Sequence, residues 1–154
     1  MQKLGELIVY ILVLSIGYIV RHISLKNSLK LGSYIGKTAF LIVKKRRNIA
    51  ISNLQMVFKD KSKDEIKEIA KESFINLGKT LVEFLRLPKY DNHQLMEMVK
   101  IEGKENLLQA ISSGNGVLII TAHFGNWELI FHILTLFTDR LSAVAQRFKN
   151  QRFD

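Results

Sequence analysis

The chain has no cysteine in its 154 residues. That excludes a disulfide framework, a thiol nucleophile and a cysteine-based zinc site. There is a single proline, Pro88, and no glycine-rich tract, repeat or low-complexity segment that would mark a flexible linker. Acid is missing over a long stretch: not one Asp or Glu lies between Glu6 and Asp60. Residues 1–59 hold ten Lys/Arg against one acid, whereas residues 60–154 hold thirteen of each sign, so the whole net charge of +9 resides in the first 59 residues. The 47% hydrophobic content suffices to bury the core of one domain or of part of one.

The basic stretch follows an apolar one. Leu7 to Val20 is an uncharged run of fourteen residues. As a helix it covers about 21 Å, short of the roughly 30 Å of a bilayer's hydrocarbon core. Leu4 and snorkelling Arg21 and Lys26 can extend it. A secretory signal is poorly supported, with one Lys in front and no small-x-small site after Val20. An uncleaved membrane segment is expected, either a short tilted span or a monotopic anchor; a buried core helix is the alternative. Arg21, Lys26, Lys30, Lys37 and Lys44-Lys45-Arg46-Arg47 would then face anionic headgroups on the cytoplasmic side. Nucleic acid is not expected as a partner, because the basic cluster adjoins an apolar anchor and no helix-turn-helix, RNA-binding or zinc-knuckle pattern accompanies it.

Helical periodicity continues through residues 28–44 and about 46–57. Ser62, with Glu65 three residues on, opens a further helix as a capping box. Ile66, Ile69, Ala70, Phe74, Leu77, Leu81 and Leu85 follow at helical spacing as its core face, and Pro88 lies just past its end. The pattern then turns to α/β. Val99–Glu102, Val117–Thr121 and Ser142–Ala145 read as strands, with helices at 104–112 and from Leu129 to Phe137. Ser113-Gly114-Asn115-Gly116 is a turn rather than a phosphate loop, because no GxGxxG or Lys-Ser/Thr follows. The expected fold is α/β: N-terminal membrane-associated helices followed by the first part of a largely parallel sheet covered by helices. Residues 1–59 form the basic membrane-associated region, and residues 60–154 the region that carries the α/β pattern.

The chemistry concentrates in Thr121-Ala122-His123-Phe124-Gly125-Asn126-Trp127-Glu128. A β-branched run precedes it and an apolar helix follows, which puts His123 at a strand end, where open α/β sheets place their sites. Gly125 permits a sharp turn. Asn126 is a good N-cap, and Glu128 then lies in the electropositive first turn. From there its carboxylate can fold back to one imidazole nitrogen and leave the other to take a proton from a hydroxyl. Equally, a first-turn Glu can serve only the helix dipole, and a strand-end His only packing. Trp127 is read as a wall of the site. His132 falls four residues after Glu128, but the order is not His-Glu-x-x-His and no metal is expected. His22 and His93 are read as surface residues.

His123-Phe124-Gly125-Asn126-Trp127-Glu128 resembles the His-x4-Asp/Glu motif of the bacterial lipid A biosynthesis acyltransferases, the lauroyl/myristoyl transferase family within the glycerolipid acyltransferase superfamily. Arg47-Asn48-Ile49 through Asn53-Leu54 and Phe58, Ser73-Phe74 with Leu77-Gly78, and Ile101-Glu102-Gly103 with Glu105-Asn106-Leu107 resemble other family segments. The resemblance spans about residues 40–154. It implies an O-acyltransferase that moves a fatty acyl chain from a thioester, on acyl carrier protein or coenzyme A, to a hydroxyl of a lipid A precursor. It implies no cofactor, and places the protein at the cytoplasmic face of a bacterial inner membrane. His123 would be the base, Glu128 its partner, and backbone amides near Gly125 and Asn126 the oxyanion support. Family members carry an Arg-Pro pair, an Asn and an Asp further on; here Gln146-Arg147, Asn150 and Asp154 stand in that register, so the Arg is one place late and the Pro is missing. Arg147 and Asn150 are the expected acceptor-binding residues. Family members run to roughly twice this length, and the chain is expected to be an N-terminal portion. The same dyad could acylate another glycolipid or a lysophospholipid, or the chain could be an inactive membrane-bound fragment.

Overall fold

The computed structural model describes residues 2–144, with side chains from residue 4. Four long helices come first: α1 (Gln2–His22), α2 (Leu25–Ile42), α3 (Lys44–Val57) and α4 (Lys63–Arg86). A 3₁₀ turn at Leu87–Lys89 leads to three short ones, α5 (Asn92–Glu97), α6 (Lys104–Ser112) and α7 (Trp127–Leu134).

The contact between α2 and α4 organises the bundle. Ser28, Gly32, Gly36 and Phe40 are the buried residues of α2, one every fourth position. Opposite them α4 buries Ile75, Gly78, Val82 and Arg86. The two helices run antiparallel and touch backbone to backbone. A Cβ at Gly32 would lie 2.6 Å from the Gly78 carbonyl oxygen, one at Gly36 would fall on the Phe74 carbonyl, and one at Gly78 on that of Gly32. Phe40 closes the far end of the stripe edge-on against Phe74, centroids 5.5 Å apart.

Capping fixes where α4 starts. Ser62 Oγ accepts the Glu65 amide, and the Glu65 carboxylate accepts the Ser62 amide at 2.8 Å. That backbone hydrogen bond, with the Ser62 hydroxyl and Lys61 nearby, holds the Glu65 carboxyl below its ordinary range. At its other end α4 exchanges arginines with α1. Arg86 is 2% exposed, and its guanidinium donates to the Val20 and Ile23 carbonyls, the latter at 2.9 Å, and to Ser28 Oγ at 2.7 Å. Arg21 Nε returns a bond to the Leu85 carbonyl at 2.8 Å. No carboxylate bonds to Arg86 among the described residues; its charge is met by the negative C-terminal end of α1.

Helix α1 is longer than the apolar run inside it. Its 21 residues span about 31 Å at 1.5 Å per residue, enough to cross a hydrocarbon core. Only Gly17 and Val20 are buried, with Glu6, Tyr10, Val13 and Ile16 half-buried along the same strip, and the apolar window Leu4–His22 is 11% buried. A helix apolar all round and yet exposed lacks the core that would explain it.

Two expectations are corrected. The fold is not α/β: no strand or sheet forms among the described residues, and residues 99–102, 117–121 and 142–144 are irregular. Strand propensity is only a preference for a pleated, half-buried surface, and a ladder needs a neighbour to take its backbone hydrogen bonds; no backbone hydrogen bond joins these three segments among the described residues. Val117–Ile120 nevertheless alternates in exposure, at 40, 87, 41 and 86%, as an extended chain does. In α4, Leu77 and Leu81 are exposed rather than core, because Gly78 turns a neighbouring stripe toward α2. One element goes unforeseen, α5, although Asp91 and Gln94 form a capping box at its start.

Adding a methyl to a helical glycine normally stabilises by up to about 1 kcal/mol. Gly36→Ala and Gly78→Ala should nonetheless destabilise by about 1–3 kcal/mol, because the new methyl meets backbone that cannot rotate away. Gly17→Ala, with only ordinary 3.8 Å contacts, should be neutral or better. Thermal unfolding in detergent, followed by circular dichroism, checks this; unchanged melting of both α2/α4 variants would disprove the backbone contact.

Candidate active site

The segment from Val117 leads to a bend at His123, where the Phe124 amide donates back to the Ala122 carbonyl at 2.8 Å, turns again at Gly125, and enters α7 at Trp127. Gly125 has φ of 58°, with open space around a would-be Cβ, so backbone conformation alone calls for glycine there. Asn126 caps α7, its Oδ1 accepting the Leu129 amide at 3.2 Å. Both expectations for the turn hold. The helix behind it rests on a small second core: Ile133 packs with Leu87 and Leu95, flanked by Leu129, Leu136 and Phe137.

His123 is exposed, at the tip of the turn. Its ring lies 5.0 Å, centroid to centroid, from that of Trp127. Glu128, half-buried in the first turn of α7, accepts a hydrogen bond from Trp127 Nε1 at 3.1 Å. The indole thus stands between base and acid, in contact with both. No bond joins His123 to Glu128 among the described residues, so the carboxylate faces the indole rather than the imidazole. Trp127, read from sequence as a wall, is a partner of both groups.

Asn126 has a further partner that sequence reading missed. Its Nδ2 donates to Glu83 Oε2 on α4 at 2.9 Å. The two residues are 43 positions apart, and Glu83 sits in an ordinary charged position of a helical pattern, so no local signal pointed to it.

Three cavities surround α7. One of about 280 Å³ lies toward α4, among Glu83, Arg86, Tyr90, Asn126 and Leu129. A second, of about 360 Å³, is lined by Val99, Ile101, Leu107, Ile130, Ile133 and Phe137. A third, of about 280 Å³, lies under the extended segment, among Ile111, Val117, Ile119, Leu134 and Phe137, with Arg140 at its edge. His123 lines none of these three; it faces outward. His132 is exposed on α7, and no three His, Asp or Glu side chains gather in a metal-holding arrangement among the described residues. Arg147 and Asn150, the expected acceptor-binding residues, lie outside the described residues, as does Asp154.

Chemically, the turn offers an exposed imidazole able to take a proton, a carboxylate within the same turn, and the electropositive start of a helix. The family model for bacterial lipid A biosynthesis acyltransferases matches residues 1–154. The lipid A biosynthesis palmitoleoyltransferase of Escherichia coli (strain K12) is 32% identical over 99 residues, which is 64% of this chain and 32% of that protein. The lipid A biosynthesis acyltransferase of Shigella flexneri matches with the same identity and coverage. The lipid A biosynthesis lauroyltransferase of Escherichia coli (strain K12) is 25% identical over 100 residues, 65% of this chain and 33% of that protein. The matched segment therefore covers about a third of the length of each of these curated relatives. No solved structure matches it. With its His-x4-Glu turn at the start of α7 and the family model covering residues 1–154, the chain belongs to the bacterial lipid A biosynthesis acyltransferases.

Proposed function

We propose that this chain carries the base-bearing part of an O-acyltransferase that moves a fatty acyl group from an acyl thioester, on acyl carrier protein or coenzyme A, to a hydroxyl of a lipid A precursor. The observation that carries the reading is the turn itself: an exposed His123, with Trp127 against its ring and the Glu128 carboxylate held by that same indole at the start of α7. His123 takes the proton of the acceptor hydroxyl, and the freed oxygen attacks the thioester carbonyl carbon. The tetrahedral intermediate collapses with cleavage of the C–S bond, and the imidazolium returns its proton to the leaving thiolate. Glu128 orients the imidazole and stabilises its charged form. For that, the carboxylate exchanges the Trp127 N–H for the imidazole N–H, one hydrogen bond for another; catalytic bonds commonly tighten only with substrate in place. Backbone amides near Gly125 and Asn126 support the oxyanion. Arg147 and Asn150 are assigned to the acceptor, the guanidinium suiting a phosphate.

In this reading residues 1–59 are the membrane-associated region and residues 60–154 the first part of the catalytic domain, at the cytoplasmic face of a bacterial inner membrane. Helix α1 supplies the apolar anchor. Leu41, Ile42 and Val43 are exposed beside Lys44, Lys45 and Arg46 at the α2–α3 corner, a pairing of apolar and cationic groups suited to an anionic lipid surface. Arg47 is already engaged, stacked on Phe40 and bonded to its carbonyl.

In the full-length protein, His123→Ala should cut acyl transfer about 10²–10⁴-fold, the usual worth of a general base. Glu128→Gln should also be severe, since it keeps shape and removes charge. Turnover with a thioester donor and a lipid A precursor measures this; near-normal rates in a folded His123→Ala protein would end the mechanism. Mass spectrometry of the product decides the acceptor, and a lysophospholipid or other glycolipid product would displace lipid A.

The membrane arm has its own test. Deleting residues 1–22 should weaken sedimentation with membranes without abolishing it. Replacing Lys44, Lys45 and Arg46 by Gln as well should release much of the rest, at about 1 kcal/mol per charge, and more so at high salt. A wild-type chain that stays soluble and monomeric at low salt contradicts the anchor.

Residues 1–154 expressed alone should show no turnover above background. With His123 facing outward and Leu118 and Ile120 bare, water has free access to the turn, and electrostatic preorganisation needs a water-poor site. Robust turnover by this segment would refute that.

A further inference from the structure

The Asn126–Glu83 bond ties the catalytic turn to a distant helix, and we infer that Glu83 is a positioning residue for the acyl-transfer site. The inference rests on the role proposed above for His123 and Glu128. Asn126 uses both ends of its amide: Oδ1 accepts the Leu129 amide, while Nδ2 donates to Glu83 Oε2. An ionised carboxylate only accepts, so Glu83 compels the amide to present its nitrogen to α4 and its oxygen to α7. Without Glu83 only the Leu129 amide is left to set the orientation of the Asn126 side chain.

What depends on the cap is the turn. Gly125 next to it has no side chain to pin it. His123, three residues before Asn126, touches only the Trp127 ring among the interactions described. Glu83 is well placed to hold such a turn. It precedes by one helical turn Arg86, the buried residue bonded to α1 and α2, and both line the cavity toward Asn126. The turn is thereby referenced to the end of α4 that Arg86 bonds to the Ile23 carbonyl and to Ser28 of α2.

Four variants test this, each by kcat and KM in the full-length protein and by hydrogen exchange across residues 126–130. Glu83→Ala should lower kcat about 10²-fold, the scale of a misplaced catalytic group, leave KM within about threefold, and speed exchange at Leu129. Asn126→Asp keeps the cap acceptor but sets an acceptor against the Glu83 carboxylate, and should lose similarly. Glu83→Gln should lose much less than Glu83→Ala, because its amide oxygen still accepts. Combining Glu83→Gln with Asn126→Asp exchanges donor and acceptor across the pair and should recover most of what Asn126→Asp loses, in both kcat and exchange. A double variant no better than Asn126→Asp, or Glu83→Ala with normal kcat and exchange, overturns the inference. Exchange reads the link without turnover, so a fully active His123→Ala protein would defeat the acyl-transfer reading while the exchange rates still judge the link.

Discussion

The structure depends on a contact between two backbones. Gly32 and Gly36 on α2 meet Gly78 on α4 with no room for a methyl group between them. Such proximity aligns the helices along their length, because any larger side chain at these positions would wedge them apart. Ser28 and Arg86 at one end of the stripe and Phe40 and Phe74 at the other are brought together by it. Small residues at every fourth position are the usual means of such an approach where apolar surroundings offer little drive for burial. That fits a bundle whose first helix leaves most of its apolar surface bare.

From this contact the last turn of α4 gains its place at the centre of the molecule. Arg86 closes the C-terminal end of α1, and Arg21 closes that of α4. A buried guanidinium without a carboxylate partner would be costly in isolation; carbonyl oxygens and a hydroxyl, gathered at a helix C-terminus, offset the cost. One turn earlier, Glu83 reaches the cap of α7. Helix α1 and the turn at His123 are thus held by neighbouring side chains of a single helix.

At the turn, the imidazole is outward, the carboxylate is bonded to an indole, and the apolar cavities lie beside rather than beneath His123. Family membership and the turn's chemistry are the two supports of the acyl-transfer proposal.

The sequence alone determined whatever rests on neighbours in the chain. The capping box at Ser62, the cap at Asn126, the left-handed glycine at 125, the helix at 104–112 and the His-x4-Glu family motif are all short-range, and all were legible. The helical repeat of α4 was legible too, though its buried face was misjudged, since Gly78 counts for nothing in an apolar pattern and for everything in a close approach. The three strands were misread because β-branched residues state a preference, whereas a ladder requires a second chain segment at the right distance. Only the tertiary structure decided that Trp127 would take the Glu128 carboxylate, that Arg86 would close α1, and that Glu83 would hold Asn126. The last two contacts join residues more than forty positions apart, and Trp127–Glu128 depends on rotamers; spacing and propensity carry no information about either.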